Sequence, residues 1–159
     1  MGKTMRRDDF SIVKQAALLA VACMLFSALC GVDAVWAERL SVKANIANIR
    51  SGPNTSDPVI WQIEKYHPIQ VVQKQGRWYL FEDFEGDRGW IHSSLLAETP
   101  AVVVKNDKCN VRSGPGLKNE IRFTVDKGVP FRVLKESGKW IHVIHADGDQ
   151  GWIHRSLVW

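Results

Sequence analysis

After residue 37 the chain is one unit written twice, because residue n matches residue n+62 without a gap. Asn48-Ile49-Arg50-Ser51-Gly52-Pro53 recurs as Asn110-Val111-Arg112-Ser113-Gly114-Pro115. Gly76-Arg77-Trp78 recurs as Gly138-Lys139-Trp140, and Gly86-Asp87-Arg88-Gly89-Trp90-Ile91-His92 as Gly148-Asp149-Gln150-Gly151-Trp152-Ile153-His154. Ser94-Leu95 recurs as Ser156-Leu157. Each copy is about 60 residues, large enough to fold alone. Two such copies make a tandem of domains rather than a solenoid, whose repeats are stable only when stacked.

Each copy reads as β structure. Val59-Ile60-Trp61-Gln62-Ile63, Ile69-Gln70-Val71-Val72 and Trp78-Tyr79-Leu80-Phe81 are short runs of β-branched and aromatic residues, separated by Gly, Pro, Asn and Asp. No segment keeps a helical period over ten or more residues. Five short strands in 60 residues close most economically as a small barrel, which also removes exposed edges. Glu85-Gly86-Asp87 and Asp147-Gly148-Asp149 are tight turns before the final strand, and Gly89 and Gly151 let the backbone bend or approach a neighbour. The expected joint is 98–101, with the first domain over 38–97 and the second over 102–159; Pro100 restricts the angle between them.

The first 37 residues read as an export signal. Lys3, Arg6 and Arg7 precede a continuous apolar run, Ala16 to Cys30, and Val35-Trp36-Ala37 has small or permitted residues at the positions that a signal peptidase reads. The run is shorter than the roughly 20 residues that span a bilayer. Cleavage after Ala37 is expected, and an uncleaved anchor facing the periplasm is the alternative. The remainder then works in the periplasm or outside the cell. Cleavage also removes Cys23 and Cys30, leaving Cys109 without an intramolecular partner, and burial is its expected fate.

The ordered set Asn-Ile/Val-Arg-Ser-Gly-Pro, an apolar strand and a Pro, Gly-x-Trp, then Gly-Trp-Ile-His-x-Ser-Leu resembles the bacterial SH3-like (SH3b) domain. The Val-Ile-Trp after Pro58 and the Gly-Trp-Ile-His-x-Ser-Leu ending are similar to the variant common in exported proteins of Gram-negative bacteria. The resemblance covers Leu40 to Ala97 and Val102 to Trp159. It implies an all-β chain, two tandem small SH3-like barrels after a signal peptide. It also implies an extracytoplasmic module that targets peptidoglycan or another cell-wall polymer and has no catalysis of its own.

Eight residues at repeated positions are the candidate ligand-binding set: Arg50, Trp78, Trp90 and His92, and their counterparts Arg112, Trp140, Trp152 and His154. The Arg guanidinium either grips a ligand carboxylate bidentately or fixes its own loop through a local carboxylate or carbonyl. A barrel this small is expected to use most of its indoles as core, with at least one of each repeated pair lining a groove. Strand alternation puts Ile141 and Val143 on one face and Trp140, His142 and Ile144 on the other. His92 and His154 either cap the turn that follows or hydrogen-bond in a groove.

Other constellations point away from chemistry. His142 and His145, three apart on a strand, lie on opposite faces and share no ion without a bulge. Asp83, Glu85 and Asp87 resemble the start of a calcium loop, but the twelfth position is Ser94, so a solvated hairpin tip is expected. Cys109 replaces Ala47, a place for a small apolar side chain, and lacks the framework of an activated nucleophile. No cofactor, metal or catalytic residue is expected. Residues 38–98 carry seven basic and eight acidic side chains, a net of −1, whereas 99–159 carry ten and six, a net of +4. Lys118, Arg122, Lys127, Arg132, Lys135 and Lys139 thus make the second copy the better site for an anionic polymer, unless the difference is only drift in surface charge. Spread this thinly, the charge does not argue for nucleic acid. Three functions are compatible: a module binding wall polymer, a periplasmic adaptor taking an extended segment of a partner protein, and an envelope hydrolase, the least supported.

Overall fold

The computed structural model describes residues 38–159, so the expected leader lies outside the described residues. The first repeat forms β1 (Arg39–Val42), β2 (Ile46–Arg50), β3 (Val59–Glu64), β4 (Pro68–Gln75), β5 (Trp78–Glu82), β6 (Arg88–His92) and β7 (Leu96–Ala97). They pair antiparallel in the order β3-β2-β6-β5-β4-β1-β7. The second forms β8 (Ala101–Val103), β9 (Cys109–Arg112), β10 (Ile121–Val125), β11 (Pro130–Ser137), β12 (Trp140–Ile144) and β13 (Gln150–His154), ordered β10-β9-β13-β12-β11-β8. A single 3-10 turn follows the last long strand of each, Ser93–Leu95 and Arg155–Leu157. The strand count therefore exceeds the expected five per copy. The extra members, β1, β7 and β8, have four, two and three residues, too few for alternation to announce them. β8 opens at Ala101, inside the expected joint, where Ala101 pairs with Arg132.

Each sheet wraps its own apolar core. Val42, Ile49, Ile69, Phe81 and Ile91 are fully enclosed in the first; Val104, Val111, Phe131, Val143 and Ile153 fill the second. One Phe anchors each core, but from different strands. Phe81 aligns with Val143 and Ile69 with Phe131, so bulk lost at one position is regained at another, as close packing requires. Cys109 is 4% exposed at the position of Ala47, 1% exposed, in keeping with a site for a small apolar group.

The register depends on two close approaches. A Cβ on Gly89 would lie 2.2 Å from Ile49 Cγ2, and one on Gly151 would lie 2.6 Å from Val111 Cγ1 and 2.8 Å from the Arg112 carbonyl oxygen. A core methyl fills the space that any other residue would need. Gly151→Ala should therefore lower the unfolding free energy by about 2 kcal/mol, the scale of overpacking a core, read from urea denaturation. A loss under about 0.5 kcal/mol, as for an ordinary surface change, would show that β9 and β13 can separate freely.

The barrels meet through side chains. Glu85 pairs with Lys127 Nζ at 2.5 Å, the Arg39 guanidinium lies 4.0 Å from the centre of the Trp159 ring, and Ser41 Oγ donates to the Thr99 carbonyl at 2.8 Å. Beside this junction His67 is 7% exposed against Phe84, and its Nε2 has no hydrogen-bond partner among the described residues. The second repeat has Val129 there. Burial holds the His67 pKa below its ordinary value, with Asp83, Glu64 and Glu85 pulling weakly the other way. The unfolded chain thus takes up this proton first as pH falls below about 6.5, and stability is lost in that window. His67→Val should flatten the fall in urea midpoint between neutral pH and the acid side of that window. Parallel curves for the two proteins would remove the assignment.

Candidate functional site

Alternation on β5, β6, β12 and β13 decides where the aromatic residues point. Ile141, Val143, Gly151 and Ile153 face inward, so Trp140, His142, Trp152 and His154 face outward. In the first repeat Phe81, Gly89 and Ile91 are buried between half-buried Trp78, Leu80, Trp90 and His92. Trp78, Trp90 and Trp140 are half-buried on the outer face rather than core, contrary to the expectation for most of the repeated indoles, since aliphatic residues and one Phe fill the interior. Trp152 is only 9% exposed, but outer-face side chains cover it.

On this outer face the predicted residues come together in pairs. Trp78 opposes His92 and Trp140 opposes His154 across adjacent strands, with ring centroids 5.3 Å apart and nearly perpendicular planes in both. Arg50 opposes Trp90 and Arg112 opposes Trp152. In each His, Nδ1 accepts the backbone N–H of the Ser two residues on, at 3.3 Å, and lies 2.7 or 2.8 Å from its hydroxyl. The histidine caps the 3-10 turn. With Nδ1 an acceptor, the neutral ring carries its proton on Nε2, leaving that nitrogen free to donate.

The arginines act on their own loops. Arg50 Nη1 donates to the Asp57 carbonyl at 2.6 Å and Arg112 Nη1 to the Asn119 carbonyl at 2.8 Å. Each guanidinium closes the loop that its Arg-Ser-Gly-Pro corner begins, through a local carbonyl. In the second repeat that loop presents Leu117, 77% exposed, against the Trp140–His154 pair. Leu117, Lys139, Trp140, His154, Ser156 and Leu157 line a cavity of about 420 Å³. An adjoining cavity of about 350 Å³ shares four of these and runs past Cys109 to Asn106, Asp107 and Arg112. Leu117 was not among the sequence candidates. Its one signal was a break in the repeat, where the first copy has Thr55.

The remaining groups are occupied elsewhere. Cys109 Sγ donates to the Asn106 carbonyl at 3.1 Å, and burial pushes the thiol pKa up, away from a reactive thiolate. His142 stacks on Trp152, whereas His145 packs on Phe131 and lies 2.8 Å from the Asp147 carboxylate. Asp83 Oδ1 accepts the N–H groups of Glu85 and Asp87, at 2.9 and 3.0 Å, and so closes its hairpin tip. A cleft of about 400 Å³ where the barrels meet includes Arg39, Glu98, Glu136, Arg155 and Trp159, but Arg39 covers Trp159 and Arg155 pairs with Glu136.

The family model for the bacterial SH3 domain matches residues 43–98 and again residues 105–159. The chain belongs to the bacterial SH3 domain family. A Bacillus subtilis (strain 168) protein named as an N-acetylmuramoyl-L-alanine amidase, YrvJ, is 41% identical to this SH3 chain over 66 residues, 42% of this chain and 13% of the relative. A Staphylococcus aureus protein named as a cell wall amidase, LytH, is 38% identical over 53 residues, 31% of this chain and 18% of the relative. The chain thus spans less than a fifth of these relatives' length. Among solved structures, an NlpC/P60 family protein from Bacillus cereus ATCC 10987 aligns with 77% of this chain and 56% of its own, at 15% identity and a TM-score of 0.38. NlpC1 from Trichomonas vaginalis aligns with 77% of this chain and 45% of its own, at 11% identity and a TM-score of 0.35.

If Arg112 holds the loop, Arg112→Lys should raise amide hydrogen exchange at Gly116 and Asn119, whose N–H groups bond within the loop, by roughly tenfold, since it removes a charge-assisted bond to a carbonyl. Exchange at Ile141 and Ile153 should stay unchanged. Unaltered loop exchange would mean that the loop is held by other contacts.

Proposed function

We propose that the chain is an exported, non-catalytic module that binds cell-wall polymer, peptidoglycan in the first instance, through the outer-face cavity of its second domain. One observation carries the reading: an exposed Leu117 stands opposite an outward Trp140–His154 pair whose histidine has a nitrogen free to donate. A flat indole, an apolar wall and a few convergent polar groups suit a sugar ring or an extended peptide of low charge. The match to proteins named as wall amidases, confined to the SH3 region, supports a wall ligand. The first domain keeps Arg50, Trp78 and His92 but has Thr55 in place of Leu117, which makes it the weaker of two sites on one chain. On a repeating polymer two weak sites add by effective concentration. A buried thiol with a raised pKa supports a role without thiol catalysis.

A second reading, the adaptor, rests on β3. That edge strand exposes Val59 and Ile60, 45% and 47%, and an extended partner segment could pair along it.

Co-sedimentation of the chain with purified peptidoglycan sacculi tests the first reading. Saturable binding is expected, and Leu117→Thr or Trp140→Ala should weaken it about tenfold or more, as for a central contact. No sedimentation at low or high salt would overturn the reading and favour the adaptor.

A further inference from the structure

The outer face of the second domain holds a cluster that the first domain lacks. Four strands contribute to it. On β12, His142 stacks on Trp152 of β13, ring centroids 4.9 Å apart and planes 26° from parallel. On β11 the register shifts between Val133 and Lys135, so that Lys135 stands directly across from His142, its Nζ 5.4 Å from the centre of the Trp152 ring. On β10 the register shifts again around Arg122, whose Nη1 reaches across to the Gln150 carbonyl at 3.2 Å. Bulges re-aim side chains, and these two put an ammonium across from the imidazole and a guanidinium on the carbonyl two residues before Trp152.

Among the described residues, no carboxylate forms an ion pair with Arg122, Lys135 or His142. The His142 pKa is held below its ordinary value, first by burial and then by the charges of Lys135 and Arg122. β11 brings Lys135 across from this imidazole, β13 stacks the neutral Trp152 on it, and β10 brings Arg122 to the Gln150 carbonyl further along β13. Positive groups thus gather here without an ion-pair partner among the described residues. In the first domain the aligned residues are Ile60, Gln73 and Leu80 around Trp90, and none is charged.

The His142–Trp152 pair is the next rung but one on the ladder that carries Trp140 and His154, roughly 7 Å away. A polymer seated against Trp140 passes within reach of the cluster. We propose that Arg122, Lys135 and His142, held around Trp152, form an oxyanion site that takes a carboxylate or phosphate group of the polymer lying in the neighbouring cavity. The inference rests on the wall-binding reading for its ligand but not for its chemistry. It makes the second domain the one that selects anionic wall polymer, and it couples binding to protonation. A bound oxyanion draws a proton onto His142, so affinity rises as pH falls into the range where that imidazole takes up its proton.

The test uses the full chain and a variant carrying Arg122→Ile, Lys135→Gln and His142→Leu, each the residue that the first repeat has at that place. Lys135→Glu, a single exposed change, is the companion should the triple variant unfold. Both should bind sacculi about tenfold more weakly and with a shallower salt dependence, while Leu117→Thr weakens binding with its salt dependence kept. Sacculi with carboxylates amidated, and sacculi stripped of phosphodiester polymers by hydrofluoric acid, separate the two sources of the oxyanion. Binding by Lys135→Glu at wild-type affinity and salt dependence would overturn the site while leaving the wall reading intact. If wild-type chain ignores sacculi, soluble polyglutamate and polyphosphate decide alone. Salt-sensitive binding to either, lost in the variant, keeps the site without the wall ligand, and binding to neither overturns it.

Discussion

The contact on which the rest depends is a core methyl group pressed into the space beside a glycine. Ile49 fills it at Gly89 and Val111 at Gly151. That approach brings β2 against β6 and β9 against β13 in the register where Arg50 opposes Trp90 and Arg112 opposes Trp152. The neighbouring residues of the Gly-Trp-Ile-His run are then forced: glycine and isoleucine inward, tryptophan and histidine outward. The histidine at the strand end meets the serine two residues later and caps the turn. One steric fact inside the barrel therefore sets the chemistry displayed outside it.

The repeat was enough to read the tandem organisation, the β class and the recurring positions, because each depends on periodicity and spacing. Facing was legible wherever a strand alternated cleanly: Ile141 and Val143 inward implied Trp140 outward. The indoles were nonetheless expected to be mostly core, because counting apolar volume suggests that a small barrel needs them. The interior is instead satisfied by aliphatic residues and one fully buried Phe per domain, and the repeated indoles take the outer face. The role of Arg112 was legible only as one of two options. Its choice depends on the carbonyl of Asn119, seven residues away, at a loop geometry that no local pattern encodes.

Bulges are the least legible part. A residue inserted into one strand shifts every later side chain by one position, and nothing in Val133-Leu134-Lys135 marks the insertion. Without it, Lys135 would not oppose His142. Strand alternation put His142 and His145 on opposite faces in the sequence, unable to share an ion. The structure separates them, and gives His142 a stacking partner and two cationic neighbours instead.

The excess charge of the second repeat also divides by position once the fold is known. Lys127 is used at the barrel junction, paired with Glu85, and Arg132 lies 6.0 Å from the centre of the Tyr66 ring in the first domain. Those two serve the junction between the domains. Arg122 and Lys135 have no such use, and their first-repeat counterparts are Ile60 and Gln73. Random drift of surface charge would scatter cations over faces with equal ease. Here the Trp–His pair stays matched in geometry, while Ile60 and Gln73 near Trp90 become Arg122 and Lys135 near Trp152. Two domains that share a scaffold and a capping histidine thus differ in charge beside their common aromatic pair, where a ligand's charge would be read.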